Sequence, residues 1–418
     1  MPEIVLACRD CGQIHRASVG LLQHRWLLCC RCGARLWQRT SSEFAVPLAL
    51  AVTAAFLFVL ANTLPIFDIS LAGNGRSARI LNGAVALSGY GDGISVVGML
   101  VAMTSGIIPA LGIALIVITL GRLRATARDG TPPGLGLAGI WRLALHLRRW
   151  SMLDVYLLGA VVAYTRLGQL GQVGVAAGGY ALAALVLVQV LIEQLIGRPR
   201  VWNAIGDPVK YSPAPGDPWV LCLECDLVTA RMIGGSDRQR CPRCGAGLEW
   251  RRSGSLAITT ALTAAGYILY LPANLFPMLT ITRFGRTEPY TILGGVHDLA
   301  AAGLWPLALL VLVASIVVPV LKLGGLTWCL IAIRLRSAWA LRQRTAFYRF
   351  IDFIGRWSNI DVFMISIVTA LVKFGTITTI EPGPAVASFA AVVALTIVAA
   401  GAFDPRLMWD AAAAARRG

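Results

Sequence analysis

Long apolar runs alternate with short basic or polar stretches along this chain, and the alternation goes round twice. Phe44 to Phe67, Gly93 to Gly121 and Ser253 to Thr282 contain no charged residue, and Leu299 to Ile333 contains only Lys322. A helix needs about 20 apolar residues to cross a bilayer, so each run is long enough. The pattern predicts eight spans: 44–67, 93–121, 151–171 and 173–192 in the first round, then 253–282, 299–333, a seventh from Ser358 and an eighth at 384–403. Pro65 and Pro277 mark the end of the first span of each round, because proline cannot continue a helix. Residues 68–92 read as a loop rich in Gly, Ser and Asn, and Ile140 to Trp150 as an amphipathic helix lying at the interface.

Short motifs recur with the same order. Arg149-Trp150-Ser151-Met152-Leu153-Asp154-Val155 returns as Arg356-Trp357-Ser358-Asn359-Ile360-Asp361-Val362. Asn62 and Pro65 return as Asn274 and Pro277, and Ser105 and Pro109 as Ser315 and Pro319, while Gly112 stands where the second round has Lys322. An even number of spans per round keeps both rounds in one orientation, so two tandem parallel repeats are expected. A charge inside a span is costly and marks a polar pathway or an ion pair. Lys322 is the natural partner for Asp361, and the two are expected to face each other beside Ser358, which shares a helical face with Asp361. Ser151 and Asp154 are the first-round counterparts. A pair that only pins two helices and snorkelling toward the interface compete with a transport role. Asp154 is also placed to cap its helix, and Trp150 and Trp357 to anchor at the interface.

Eight of the ten cysteines form Cys-x-x-Cys pairs: Cys8 and Cys11, Cys29 and Cys32, Cys222 and Cys225, Cys241 and Cys244. Their spacing is that of two zinc ribbons, in which two tight turns bring four thiolates round one ion. Ribbons this small have no core of their own, so metal binding supplies their folding energy. Two Zn²⁺ per chain are expected. Iron in the same sites would instead make a redox protein. Cys30 reads as a spare thiol of its turn and Cys329 as a buried apolar one.

Composition narrows the class. Over 418 residues the chain is 57% hydrophobic and 14% charged, with mean hydropathy +0.70, which excludes a soluble globular protein. The net charge of +16 reflects loop orientation rather than nucleic acid. Of 37 Lys and Arg, only Arg76, Arg79, Arg166, Arg283, Arg286 and Lys373 fall opposite the ribbons, and Lys322 falls within a span. That bias places both ribbons and both termini in the cytosol. The first 43 residues lack the apolar segment of a signal peptide. There is no Gly-x-x-x-x-Gly-Lys-[Ser/Thr] loop to cradle a nucleotide, and no enzyme activity is expected.

Tyr270-Leu-Pro-Ala-Asn274, Ala314-Ser-Ile-Val-Val-Pro-Val-Leu-Lys322, Phe353-Ile-Gly-Arg-Trp-Ser-Asn-Ile-Asp-Val-Phe363, Phe403-Asp-Pro-Arg-Leu407 and Trp409-Asp410 together resemble the paraquat-inducible protein A (PqiA/LetA-like) family over essentially the whole chain. The resemblance implies a bacterial inner-membrane component that works with a periplasmic, tubular MCE-domain protein (PqiB/LetB-like) to move phospholipid between the inner and outer membranes, with no ATPase domain. It implies tetraspanin-like units of four helices. It also implies that polar groups between spans matter, which map to Lys322, Ser358 and Asp361, to Ser151 and Asp154, and to Thr396. The expected fold is therefore an all-α multi-pass membrane protein with two ribbons: ribbon 1 at 1–40, a first four-span unit at 41–196, a linker at 197–217, ribbon 2 at 218–252, a second unit at 253–404 and a tail at 405–418. A membrane anchor or sensor that holds the tube without moving lipid is the alternative.

Overall fold

The computed structural model describes residues 3–18, 26–38, 44–71, 74–129, 135–168, 172–206, 213, 217–231, 239–283, 285–372 and 378–416. Its first round of helices is α1 (Ala45–Thr63), α2 (Ile80–Ser88), α3 (Gly91–Ala102), a π-helical turn at Met103–Ile107, α4 (Ile108–Asp129), α5 (Leu135–Trp150), α6 (Leu153–Leu167), α7 (Ala177–Leu195) and α8 (Arg198–Ile205). The second is α9 (Ser255–Leu275), α10 (Ile292–Ala301), α11 (Trp305–Leu312), a π-helical turn at Val313–Val317, α12 (Val318–Arg334), α13 (Leu341–Ile354), a 3₁₀ turn at Gly355–Asn359, α14 (Ile360–Leu371), α15 (Ala385–Ala402) and α16 (Arg406–Ala415).

Seven continuous helices among the described residues are long and apolar enough to cross a membrane: 45–63, 91–129, 177–195, 255–275, 305–334, 341–371 and 385–402. The chain is a multi-pass membrane protein. Eight spans were expected, and the difference lies in α6, which has only 15 residues. Its later counterpart α14 has 12 and reaches membrane length only by continuing from α13. These two helices cross at Gly159, where an added Cβ would come within 2.9 Å of the Phe363 Cβ and 3.0 Å of the Ile360 carbonyl oxygen. Ile360 to Thr369 are buried without a break. A helix wrapped by protein on every side has no hydrocarbon to match, so it need not be of membrane length.

The π turns have a local cause. Pro109 and Pro319 each lack an N–H and crowd the carbonyl four residues back, that of Ser105 and Ser315, so the turn before each proline widens. Ser105 turns its hydroxyl back onto the Val101 carbonyl at 2.7 Å, whereas Ser315 is free to reach across to another helix.

Residues read as loop or span end form two small sheets at the end of the spans away from the ribbons. β5 (Phe67–Leu71) pairs antiparallel with β6 (Asn74–Ala78) and β7 (Gln172–Val175), and β10 (Leu279–Arg283) with β11 (Arg286–Tyr290) and β12 (Thr378–Pro382) once the ribbon strands are numbered β1 (Glu3–Ala7), β2 (Ile14–Ser18), β3 (Trp26–Leu28), β4 (Arg35–Gln38), β8 (Trp219–Leu221) and β9 (Val228–Ala230). The expected spans at 173–192 and 253–282 are thus shortened, because Val173–Val175 and Leu279–Thr282 are strand. The run at 299–333 is broken as well, between Ala301 and Trp305, where Gly303 takes φ +78°.

Candidate metal centres and polar site

In ribbon 1 the hairpins β1–β2 and β3–β4 each carry one Cys-x-x-Cys turn. Each turn closes by an amide donating back to the first cysteine's carbonyl: Gly12 to Cys8, Gly33 to Cys29 and Gly245 to Cys241 at 2.9 Å, and Asp226 to Cys222 at 3.0 Å. That residue is left-handed in all four turns, with φ of +71°, +73° and +71° for the glycines and +61° for Asp226, one of the few side chains that tolerate the region. The turns draw the thiols into two groups of four, Cys8, Cys11, Cys29 and Cys32, and Cys222, Cys225, Cys241 and Cys244, all Sγ atoms in a group lying within 4.8 Å of one another. Sγ–Sγ separations of 3.4, 3.5, 3.5 and 3.6 Å approach the roughly 3.8 Å of a tetrahedral site with 2.3 Å metal–sulfur bonds. Both sets can hold a metal ion. His15 Nε2 lies 3.3 Å from Cys29 Sγ, close enough to hydrogen-bond that sulfur and fix its position, and Cys30 is exposed and outside the group.

Each ribbon sits on the helices that follow the other one. Ribbon 1 packs its cysteines against Leu326, Cys329 and Leu330 of α12, Tyr348 of α13, and Met408 and Trp409 of α16. Arg349 donates to Asp10 at 3.1 Å and to the Cys32 carbonyl at 3.2 Å, and the Arg31 guanidinium lies 4.4 Å over the Trp409 ring. Ribbon 2 is held to α8 by Arg243, which donates to the Trp202 carbonyl at 2.9 Å and to Asn203, and to α5 by Arg142, which donates to the Cys244 carbonyl at 3.3 Å. The ribbons meet through Arg9, paired with Asp226 and donating to the Glu224 carbonyl at 3.3 Å.

Under the ribbons lies a polar chamber of about 620 Å³, walled by both ribbons and both rounds of helices. Its charged lining is more basic than acidic, with Arg9, Arg148, Arg149, Arg198, Arg252, Arg349 and Arg356 facing Asp10, Glu193, Glu224, Asp352 and Asp404. Several are paired, Arg149 with Asp352 at 2.8 Å among them. Asp404 and Arg406, both 2–3% exposed, form a two-point pair at 2.9 and 2.7 Å, with Asp404 also accepting from the Arg252 amide at 3.2 Å. Burial pushes the Asp404 carboxyl up, but Arg406 outweighs it and holds the group below the usual carboxylate range.

Lys322 reaches this chamber from α12 and is itself completely buried. Its ammonium donates to Thr396 Oγ1 of α15 at 2.6 Å and to the Gly355 carbonyl at 3.1 Å. The backbone comes that close only because Gly355 has no side chain: an added Cβ would lie 3.0 Å from Lys322 Cε. The expected ion pair with Asp361 is not formed, and among the described residues no carboxylate contacts the ammonium. Asp361 instead accepts from Ser315, which the π turn frees, and the Arg166 charge is near. Sequence alone gave Lys322 one nearby acid and no means of seeing a carbonyl and a hydroxyl as its partners. Thr396 is brought to Lys322. Ser358 is buried on the turn before Asp361, and Ser358 Oγ and Asp361 Oδ1 have no hydrogen-bond partner among the described residues.

Ser151 and Asp154 line a second, smaller pocket among α1, α4, α5 and α7, which borders the chamber and shares Arg148, Glu193 and Arg356 with it. Asp154 pairs with Arg356 at 3.3 Å, so the arginine of the second motif copy serves the aspartate of the first. The sequence marks Ser315, on one helical face with Pro319 and Lys322, but not as the partner of Asp361, and it gives no sign of Gly355, which stands just before the repeated motif and has Arg148 as its first-round counterpart.

The family model described as Paraquat-inducible protein A matches residues 44–206 and 256–413. The chain is 29% identical over 411 residues to Intermembrane transport protein PqiA of Escherichia coli (strain K12), covering 97% of this chain and 95% of that protein. It is 31% identical over 389 residues to Lipophilic envelope-spanning tunnel protein A of the same strain, covering 93% and 87%. To the Probable intermembrane transport protein of Haemophilus influenzae it is 25% identical over 415 residues, covering 98% and 96%. No solved structure matches. With both blocks of helices inside the family model and relatives similar along nearly their full length, the chain belongs to the paraquat-inducible protein A family.

Proposed function

We propose that the protein is a lipid-transport subunit of the bacterial inner membrane, which loads or extracts phospholipid for a periplasmic MCE-domain tube. Relatives named for intermembrane transport and for an envelope-spanning tunnel support the transport role. On this reading the helices form two tandem repeats, 41–196 and 253–404, each preceded by a cytosolic zinc ribbon, at 1–40 and 218–252. The paired order of helices, π turns and three-stranded sheets supports that division, and the asymmetry of basic residues supports the cytosolic placement. Cysteine-only donor sets with tetrahedral spacing favour zinc over harder ions.

The observation that carries the mechanism is Lys322: a buried ammonium with only neutral partners, at the boundary between a basic chamber and the spans. Among the described residues no carboxylate is in contact with this cation, Asp352 acting on it only through space, and a lipid phosphate would supply a direct counter-charge. Ser358 lies about one turn and Asp361 about two turns of helix beyond Gly355, both with unfilled hydrogen-bonding capacity. Proton uptake at Asp361 would couple lipid movement to the proton gradient. The test is lipid transfer from proteoliposomes to the purified periplasmic partner. Lys322→Met is expected to abolish transfer while the protein stays folded and keeps its partner. Transfer at the unmodified rate would remove Lys322 from the mechanism, and a folded chain that binds the tube but never moves lipid would favour the anchor.

A further inference from the structure

The pocket around Gly112 is the first-round counterpart of the Lys322 site, and it is open. Gly112 follows the π turn at Met103–Ile107 as Lys322 follows that at Val313–Val317, and a Cβ built on Gly112 meets nothing within 4 Å. Gln189 of α7 lines the pocket at the level where Thr396 of α15 holds Lys322, while Arg148, paired with Glu193, stands where the second round has Gly355. The space that one round fills with a tethered ammonium is a cavity of about 100 Å³ in the other. A water needs about 10–15 Å³ by this measure, so an aminoethyl group fits with room to spare.

The charges of the lining define what enters. Two ion pairs flank the cavity, Arg356 with Asp154 at 3.3 Å and Arg148 with Glu193, and their four side chains are 30–39% exposed. Two cations balanced by two carboxylates give no net preference for an anion or a cation. They suit a zwitterion, whose ammonium takes the carboxylates as its phosphate takes the guanidiniums. The remaining wall is apolar apart from Ser151 and Gln189, and it includes Val190, 47% exposed, so the cavity communicates with the outer surface of α7.

We propose that this pocket binds a zwitterionic phospholipid with a primary ammonium headgroup, the ammonium occupying the position that Lys322 fills in the second round. The proposal draws on the lipid-transport reading for the class of ligand and places it in a pocket next to the chamber, with Arg148, Glu193 and Arg356 lining both. Purified full-length protein in non-ionic detergent is titrated with dihexanoyl phosphatidylethanolamine, dihexanoyl phosphatidylglycerol and tailless phosphoethanolamine, with calorimetry as the readout. The ethanolamine lipid is expected to bind at least tenfold more tightly than either of the others. Gly112→Lys, which supplies the ammonium covalently, is expected to weaken that binding at least tenfold. Gly112→Ala, whose methyl group has free space and leaves the fold intact, is expected to weaken it several-fold. Equal affinity for the ethanolamine and glycerol lipids, equal affinity for the tailless headgroup, or unchanged affinity in folded Gly112→Lys and Gly112→Ala would each overturn the proposal. Because binding is read on purified protein, its failure leaves the Lys322 transfer test standing, and failure of that test leaves this site standing.

Discussion

Replacing Lys322 by methionine separates two physical accounts of the buried charge. If Lys322 were the partner of Asp361, removing it would strand a buried carboxylate and cost about 3–5 kcal/mol. The structure gives it different partners, Thr396 at 2.6 Å and the Gly355 carbonyl at 3.1 Å. Lost hydrogen bonds from a charged donor are worth about 1.5–3 kcal/mol each. Against them stands the several kcal/mol recovered when an ammonium no longer has to leave water. Thr396 keeps its own bond to the Val393 carbonyl at 2.9 Å, so its hydroxyl is not orphaned. Methionine occupies a similar volume, and the terms cancel to within about 2 kcal/mol of zero. Urea or thermal unfolding of the purified protein measures this. In a cycle with Asp361→Asn the two changes should add to within about 0.5 kcal/mol, whereas a cycle with Thr396→Val should show coupling of about 1–3 kcal/mol. A loss of 3–5 kcal/mol in Lys322→Met that Asp361→Asn restores would refute the assignment of partners.

Asp404→Asn should destabilise the protein by about 3–5 kcal/mol, because it leaves the guanidinium of Arg406, 2% exposed, without its charge partner; unfolding and protein level in membranes report it. Since the folded-state carboxyl of Asp404 is held below its ordinary value, its contribution is complete above about pH 3.9 and is lost as pH falls through that lowered value, a dependence that Asp404→Asn should remove from an acid-unfolding curve. Gly159→Leu should force α6 and α14 apart where only 2.9 Å is available for a Cβ, costing about 1–3 kcal/mol or more, while Leu at Gly121, which has open space, should cost far less. Elemental analysis should find two zinc ions per chain, and one in Cys222→Ser; no zinc, or iron in its place, would contradict the ribbon assignment.

The sequence carried the features that depend on local chemistry. Uncharged runs located the long helices, Cys-x-x-Cys spacing located both thiol clusters, and Phe403-Asp-Pro-Arg proved to be a clamp in which Asp404 and Arg406 hold the turn into α16. Strands β5 and β10 were also within reach, since Phe67-Asp-Ile-Ser-Leu71 and Leu279-Thr-Ile-Thr alternate apolar and polar residues at the period of a strand, a signal hidden by the spans beside them. What depends on tertiary placement was not legible. That ribbon 1 docks on α12, α13 and α16 follows from Arg349 and Arg31 meeting groups more than 300 residues away or across the fold. Likewise the choice of Thr396 over Asp361 as the partner of Lys322 turns on the missing side chain of Gly355, which lets a carbonyl approach. Helix α6, at 15 residues, is shorter than the apolar run at 151–171 suggests, and the chain after it turns into β7.

The central claim, that a phospholipid phosphate comes to Lys322, is tested most directly by placing a photo-activatable side chain at Ile397, which lines the chamber beside Thr396, and irradiating native membranes. The adduct is then read by mass spectrometry of the isolated protein. The account predicts a phospholipid adduct that falls at least tenfold when Lys322→Met is added, in protein of unchanged abundance. No phospholipid adduct, or one that is equally strong without the lysine, would contradict it.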